Sequence, residues 1–361
     1  MNLLLVRGYP RKNGYTHFVT EFFAKGAREA GAHVTDIRLS QKDIRPCNGC
    51  YHCWIDTPGV CVHHDDMPSM LEAFLESDVI VLSSPLYHYS MSASMKTFLE
   101  RTLPLTSPGI VETPSGRIRN RIRHPRRWKK SLIVIMACAF KDPETFSAAR
   151  KTFEYIGEGM DILPGGFLLR PESYLLQFAL AKPKTVKIIE TAFIQAGYEA
   201  ARSGTISETT QRNAASPLTT DIPHFLKYSN IFWEHAVRLG AEAMDLEKLR
   251  RMVTGDVRVL LSEMVRSIDP AAAARLRVVL QFDFSDSGQH FTVAVDKGRA
   301  TLAEGESTAP DLRIVTTTGV WAGIFMREID ARSALLERKI VLTGDKSIFA
   351  RLDRYFPPPD S

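Results

Sequence analysis

Short apolar runs alternate with amphipathic stretches over the first two hundred residues, and each kind of run predicts one kind of element. Leu3 to Arg7, Asp78 to Ser84 and Ser131 to Ala137 are aliphatic or β-branched almost throughout, the texture of strands covered on both faces. His33 to Leu39 reads as a further strand and Ile162 to Leu169 as another apolar stretch. From Thr16 the residues Phe18, Phe22, Ala24 and Ala27 recur near one face until Gly31, which predicts a helix. Asp65-Asp66-Met67-Pro68 opens a second helix with acidic caps and an early proline. Met95–Arg101, residues 143–158 and residues 184–203 supply others. Strand and helix in alternation imply an α/β fold, a doubly wound parallel sheet with helices on both faces. Such sheets bind ligands at the carboxyl ends of their strands, here Gly8–Thr16, Ser83–Tyr89 and Ala137–Phe140.

The pattern changes further along. Residues 203–222 are rich in Ser and Thr and hold Pro217, the composition of a connector, and a helical stretch over about 224–250 follows. Beyond about 252, Arg277–Phe284 and His290–Val295 read as a strand pair, with Gly298–Glu304, Leu312–Thr317 and Lys339–Thr343 as further strands. Helices are expected at 319–328, 330–337 and Lys346–Tyr355, and Pro357-Pro358-Pro359 reads as a stop. Antiparallel strands with helices describe a smaller α+β domain. The expected organisation is therefore 1–204, a connector and helix over 205–251, and 252–361.

Composition narrows the classes. The 361 residues are 44% hydrophobic and 24% charged, the balance of a globular protein with a sizeable core. No apolar run approaches the ~18 residues of a membrane span. The apolar start ends at Arg7, too short for a secretory leader. A soluble cytoplasmic protein is expected. The net charge of +5 is local: residues 117–130 carry eight cations and no acid. A solvated surface loop is the favoured reading there, ahead of an NADPH 2′-phosphate, an acidic partner or an anionic membrane. Nucleic acid is not expected as a partner, since one short basic segment lacks a reading module.

Candidate chemistry gathers in two places. Asn13-Gly14 leading to Thr16 at a helix start supplies backbone N–H groups, a helix dipole and a hydroxyl, and Arg11 adds a cation, the groups a phosphate monoester needs. Four of the five cysteines, Cys47, Cys50, Cys53 and Cys61, fall within fifteen positions as C-x2-C-x2-C-x7-C. Four thiolates there can hold an iron–sulfur cluster or a zinc ion. The fifth, Cys138, ends a buried strand and reads as a core residue.

Gly8-x-Pro10-Arg11-x-x-Gly14-x-Thr16 resembles the FMN phosphate loop of flavodoxin-like NAD(P)H-dependent FMN reductases. The segment from Ser84-Pro85-Leu86-Tyr87-His88 to Arg101 is similar to that family's second flavin loop and following helix. The cysteine run, with Gly59-x-Cys61 and Asp65-Asp66-Met67, resembles the archaeal-type iron–sulfur flavoproteins, a branch of the same family. The resemblance implies a flavodoxin-like fold and an FMN-dependent oxidoreductase. It implies FMN contacts from Tyr9, Arg11, Gly14, Tyr15, Thr16, Pro85, Leu86, Tyr87, His88 and Ala139. NAD(P)H is implied as donor of a hydride to flavin N5, and a small molecule or protein as electron acceptor, in a homo-oligomer. No catalytic side chain is named, because the flavin carries the chemistry. For Cys47, Cys50, Cys53 and Cys61 three readings stand: a [4Fe-4S] cluster, zinc, or thiols forming a redox-sensitive or structural lid. His88 reads equally as a donor to flavin N5 or O4 and as a solvent-facing histidine. Two departures stand out: Tyr9 replaces the usual Ser of such loops, and Tyr15 a frequent Asn.

Residues from about 255 to 356 resemble a sterol carrier protein-like domain, through Phe282-Asp283-Phe284, Phe291–Val295, Ala309-Pro310-Asp311-Leu312, Trp321-x-x-Ile324 and Gly344-Asp345. That implies a lipid-like apolar ligand, although the same pattern suits a filled core. Two alternatives to the reductase remain: an iron–sulfur flavoprotein acting in electron transfer, and a non-enzymatic lipid-binding protein with a degenerate flavodoxin domain.

Overall fold

The computed structural model describes residues 1–177 and 183–357, so Pro358 and Pro359 of the proline tail lie outside it. The chain divides into two compact units, Met1–Leu176 with Thr185–Thr219, and Gln177–Lys184 with Thr220 onward. Residues 205–251, expected as one linking stretch, are shared between them.

In the first unit the elements run β1 (Asn2–Arg7), α1 (Tyr15–Glu29), β2 (His33–Arg38), α2 (Met67–Glu76), β3 (Val79–Pro85), α3 (Ala93–Glu100), β4 (Thr106–Glu112), β5 (Ile118–Ile122), β6 (Ser131–Ala137), α4 (Ser147–Gly159), β7 (Leu163–Arg170), α5 (Pro183–Ser203) and α6 (Glu208–Ala214). Five strands form one sheet in the order β2-β1-β3-β6-β7, every pairing parallel. This is the flavodoxin-like doubly wound sheet, and its direction reverses between β1 and β3. All seven residues of β3 and of β6 are buried, as strands covered on both faces require. One core cluster joins Leu4, Val6, Ile80, Leu82 and Val134 to Phe74, Met95, Phe98 and Phe153 of the helices.

The outer edge of β7 is not left open. Ile206 donates its backbone N–H to Gly165 O (2.7 Å) and Gln211 Oε1 accepts from the Phe167 N–H (3.1 Å). Buried Glu172 accepts from the N–H groups of Leu218 (2.6 Å) and Thr219 (3.3 Å). The stretch 205–219 thus covers a strand edge that would otherwise invite pairing.

The basic segment departs from the solvated loop expected of it. Arg117, Arg119, Arg121 and Arg123 alternate because the chain is extended: β5 pairs antiparallel with β4 as a separate ribbon. Arg119 pairs with Asp161 (2.8 Å) and Arg127 with Glu72 (2.6 Å), while Arg117 lies 3.9 Å from the centre of the Tyr155 ring. Lys130 is buried, its ammonium donating to the carbonyls of Leu75 (2.9 Å) and Ser77 (2.5 Å); burial lowers its pKa to about 8.

The second unit runs α7 (Ile222–Leu239), α8 (Leu246–Thr254), α9 (Val257–Arg266), β8 (Arg277–Phe284), β9 (Gln289–Asp296), β10 (Arg299–Glu304), β11 (Leu312–Thr316), α10 (Thr318–Phe325), α11 (Ala331–Leu336), β12 (Val341–Gly344), α12 (Lys346–Phe349) and α13 (Leu352–Tyr355). Its sheet, in the order β10-β9-β8-β11-β12, is antiparallel except at one place: β11 runs parallel to β8. The expectation of antiparallel strands is corrected there, because the chain crosses from β10 at one edge to the far side of β8. Phe282 meets Trp321 edge-on at 4.8 Å, within a cluster that includes Leu260, Leu280, Val293 and Ile348.

Two glycines set how closely α1 and α5 approach in the first unit. A Cβ on Gly26 would lie 1.8 Å from Ile194 O, and one on Gly197 would lie 2.0 Å from Phe23 O. Neither obstacle is a movable side chain, so the helices must separate to admit a methyl group. Gly197→Ala is expected to destabilise the protein by about 1–3 kcal/mol in urea unfolding. Gly159→Ala, with nothing within 4 Å of its Cβ, should be neutral or slightly stabilising. Equal behaviour of the two variants would show that the close approach of the helices does not depend on these glycines.

Candidate functional site

Gly8 follows β1 and joins three parts of the sheet's carboxyl end. Its N–H donates to Ser83 O (2.8 Å), and its carbonyl accepts from Ser92 Oγ (2.5 Å) and Ser94 Oγ (3.3 Å). A Cβ there would lie 2.9 Å from Met95 Cβ. Ser92 also caps α3, and its own N–H donates to Ser84 Oγ (2.9 Å). The loop after β1 and the loop after β3 are thereby tied at one backbone residue. The loop after β6 joins them where the Leu86 N–H donates to Ala137 O (3.0 Å). All three loops expected to form the site therefore meet at one end of the sheet.

The loop after β1 ends on α1. Its N-cap, Gly14, has extended backbone, no side-chain cap occurs, and the first turn holds no acidic residue. The positive end of the helix dipole is thus uncompensated by a carboxylate. Arg11 stands exposed and Thr16 is buried in that first turn. Tyr15 is half-buried, its hydroxyl lacks a hydrogen-bond partner, and its ring meets Tyr174 edge-on at 6.4 Å.

Tyr9 lies differently from a phosphate donor. Its side chain is buried, and its hydroxyl accepts from Arg7 Nη1 (2.7 Å). Arg7 is itself buried and pairs through Nε and Nη2 with both oxygens of Asp36 (2.6 Å each), and through Nη1 with Glu21 (2.5 Å). A neutralised cation thus underlies the loop, and Tyr9 is committed to it, leaving its backbone to face the loop. The one sequence signal for this network was a charged residue, Arg7, ending an otherwise apolar strand.

After β3, Pro85 is buried and Leu86 partly so, while Tyr87, His88 and Tyr89 are exposed. Tyr87 and Ser90 exchange two backbone hydrogen bonds of 2.9 Å across a two-residue turn. Its central residues, His88 (φ 46°) and Tyr89 (φ 60°), are both left-handed without being glycine. Such strain persists where surrounding contacts hold it, often at functional loops. Ala139 is exposed beyond β6, and Cys138 is buried with its thiol pushed up to about 11 by burial.

The cysteines lie on residues 42–66, which form neither helix nor strand. Cys53 is buried, Cys47 and Cys61 are partly exposed and Cys50 is exposed. Among the described residues no three His, Cys, Asp or Glu side chains converge as a finished ligand set. The donors nevertheless share one region: burial pushes the Cys53 thiol up, and Cys61, Cys47 and Cys50 add to that effect. Three further thiols within electrostatic range of Cys53 make a donor set whose chemistry suits iron or zinc. The loop is pinned from outside, with Trp54 Nε1 donating to Leu103 O (3.1 Å) and Arg123 Nη2 to Cys53 O (3.3 Å). Gly59, at φ 89°, turns the chain back so that its N–H reaches Cys53 O (2.8 Å).

Sequence reasoning missed the pair at the base of this loop. Asp65, read as a helix cap, does accept from the Met67 N–H (3.1 Å), but its main partner is Arg101 (2.6 and 3.1 Å), both side chains being at most 1% exposed. Burial would raise the Asp65 pKa, yet hydrogen bonds from Arg101, Arg45 N–H and Met67 N–H outweigh it and hold it at about 2. A depressed carboxyl contributes stability that is present above its unfolded value, near 4, and lost as pH falls toward 2. Asp65→Asn should therefore cost about 2–3 kcal/mol at pH 7. Its deficit against wild type in urea unfolding should shrink between pH 4 and pH 2. A deficit independent of pH would contradict the ionised pair.

With the geometry in hand, comparison with known proteins gives matches in both units. Residues 1–159 match the model of the NADPH-dependent FMN reductase family, and residues 260–356 that of the SCP-2 sterol transfer family. An iron-sulfur flavoprotein of Archaeoglobus fulgidus is 36% identical over 104 residues, covering 29% of this chain and 46% of its own. One of Methanocaldococcus jannaschii is 32% identical over 105 residues, covering 29% and 53%. The chain thus spans about half the length of the curated relatives it matches. An NAD(P)H:quinone oxidoreductase from Methanothermobacter marburgensis aligns at 14% identity and TM-score 0.41, covering 56% of this chain and 98% of its own. No helix among the described residues is long and apolar enough to cross a membrane. By these matches, residues 1–159 are similar to the NADPH-dependent FMN reductase family and residues 260–356 to the SCP-2 sterol transfer family.

Proposed function

We propose that the first unit is an FMN-dependent oxidoreductase that accepts reducing equivalents from NAD(P)H. The observation that carries this is the junction at Gly8, which ties the loops after β1 and β3 together at the switch point of the sheet. FMN, when bound, supplies the hydride- and electron-accepting chemistry. Arg11, Thr16 and the N–H groups from Gly14 onward would hold its phosphate at the start of α1, with Tyr9 and Tyr15 contributing backbone. Pro85, Leu86, Tyr87 and His88, with Ala139, would flank the ring system. The strained turn gives the ring a fixed edge, since its two left-handed residues leave the loop few alternative conformations.

The thiols of Cys47, Cys50, Cys53 and Cys61 favour a second component. They would ligate an iron–sulfur cluster, in line with the similarity to iron-sulfur flavoproteins, and the acceptor would then be reached by single-electron transfer. The second unit would contribute an apolar-ligand site, the reading its SCP-2 match supports.

Three measurements check these readings. Thr16→Ala should weaken FMN binding by about 1–2 kcal/mol, the scale of one hydrogen bond to a charged group; unchanged affinity removes Thr16 from the site. Anaerobic addition of NADPH or NADH to the flavin-loaded full chain should bleach the flavin bands, and a spectrum indifferent to both nucleotides would refute the oxidoreductase reading. Native mass spectrometry of the full chain after exposure to lipid extract should show a retained apolar molecule, and a chain that stays empty would contradict the ligand site.

A further inference from the structure

Helix α3 ends at a cation that faces the cysteine loop. Arg101 makes four distinguishable contacts there. Its Nη1 donates to Arg45 O (2.6 Å), two residues before Cys47, and to Asp65 Oδ2 (2.6 Å), four residues after Cys61. Its Nη2 donates to Asp65 Oδ1 (3.1 Å), and the guanidinium interacts electrostatically with the Cys61 side chain. Asp65 Oδ2 accepts from the Arg45 N–H as well (3.0 Å), so the chain entering the loop and the chain leaving it are closed on one carboxylate and one guanidinium. Among the described residues, the buried Nε of Arg101 has no hydrogen-bond partner.

A buried Arg N–H left unmatched is costly, and Cys61 is the thiol that interacts with the Arg101 charge. We propose that Arg101 is a positioning residue for a redox group held by Cys47, Cys50, Cys53 and Cys61: it clamps both ends of the loop and places a permanent positive charge against Cys61. This rests on the cluster reading given above. The step it affects is a one-electron reduction, the electron coming from flavin reduced by a nicotinamide nucleotide. No bond forms or breaks at Arg101 and no proton moves there; the guanidinium stabilises the extra negative charge of the reduced group. Arg123 differs from it in role, since its guanidinium serves the carbonyls of Cys53, Pro104 and Thr106.

The test uses the full chain, purified anaerobically and reconstituted with iron and sulfide, as wild type, Arg101→Gln and Arg101→Lys. Iron release to a chelator, bound FMN and the midpoint potential by dithionite titration are read on each. Arg101→Gln should keep its FMN, release iron about 10–100-fold faster and show a more negative midpoint potential at equal iron content. Arg101→Lys retains charge but loses the fork that grips Asp65, so it should release iron faster with a potential nearer wild type. A purely structural role would leave the potential of the loaded variants unmoved, and that result overturns the proposal. Should Arg101→Gln fail to give FMN-loaded protein, Arg101→Lys decides: iron release at the wild-type rate overturns the proposal. A wild-type chain that takes up no iron and sulfide overturns the cluster reading and this inference with it. Iron-loaded wild type and Arg101→Gln that behave alike overturn only the role of Arg101.

Discussion

Gly8 is the constraint on which the first unit's site depends. Its backbone is used on both sides, donating to β3 through Ser83 and accepting from the cap of α3 through Ser92, and no side chain fits between it and Met95. The loop after β1 therefore cannot move without disturbing the loop after β3. That coupling turns two flexible connections into one rigid mouth, and preorganisation of this kind lowers the ordering entropy a ligand must overcome. The sheet beneath supplies the reason for the location. Strands buried on both faces carry only apolar side chains, so hydroxyls, cations and open N–H groups collect where the strands end.

Two buried arginines extend this logic from backbone to charge. Arg7 lies under the first loop with Asp36 and Glu21, and Arg101 lies under the cysteine loop with Asp65. Buried ion pairs contribute little net stability, because desolvation offsets much of the attraction, but breaking one is strongly destabilising. Their effect here is geometric. Each anchors an irregular segment that has few ladder hydrogen bonds of its own. The cysteine loop, 25 residues without helix or strand, is held by Asp65, Arg101, Trp54 and Arg123 as well as by turns of its own backbone.

Much of this was legible in the residues. Apolar runs located β1, β3 and β6 within a residue or so, because a strand covered on both faces leaves an unambiguous signature. The three loops at their carboxyl ends followed from that alone. What escaped was contact at long range. Nothing local shows that Asp65, legible as a helix cap, also pairs with Arg101, or that Tyr9 turns inward to Arg7. The alternation of Arg117, Arg119, Arg121 and Arg123 was visible, but it marks a strand only once β4 is found opposite, and Thr106–Glu112, with Pro108 and Gly109, hardly resembles one. In the second unit the strands were readable, whereas the parallel pairing of β11 with β8 depends on a crossover that no local pattern encodes. The comparisons added a family match within each unit and left the site residues to the geometry.

The central claim is that the start of α1 and its loop form a phosphate site for FMN. Riboflavin shares the ring system and lacks the phosphate, so comparing the two ligands isolates that contact. Apo-protein of the full chain should bind one FMN per chain, followed by quenching of flavin fluorescence, at least about 100-fold more tightly than riboflavin, the effect of two charge-assisted hydrogen bonds. Equal affinities for FMN and riboflavin, or no binding of either, would contradict it.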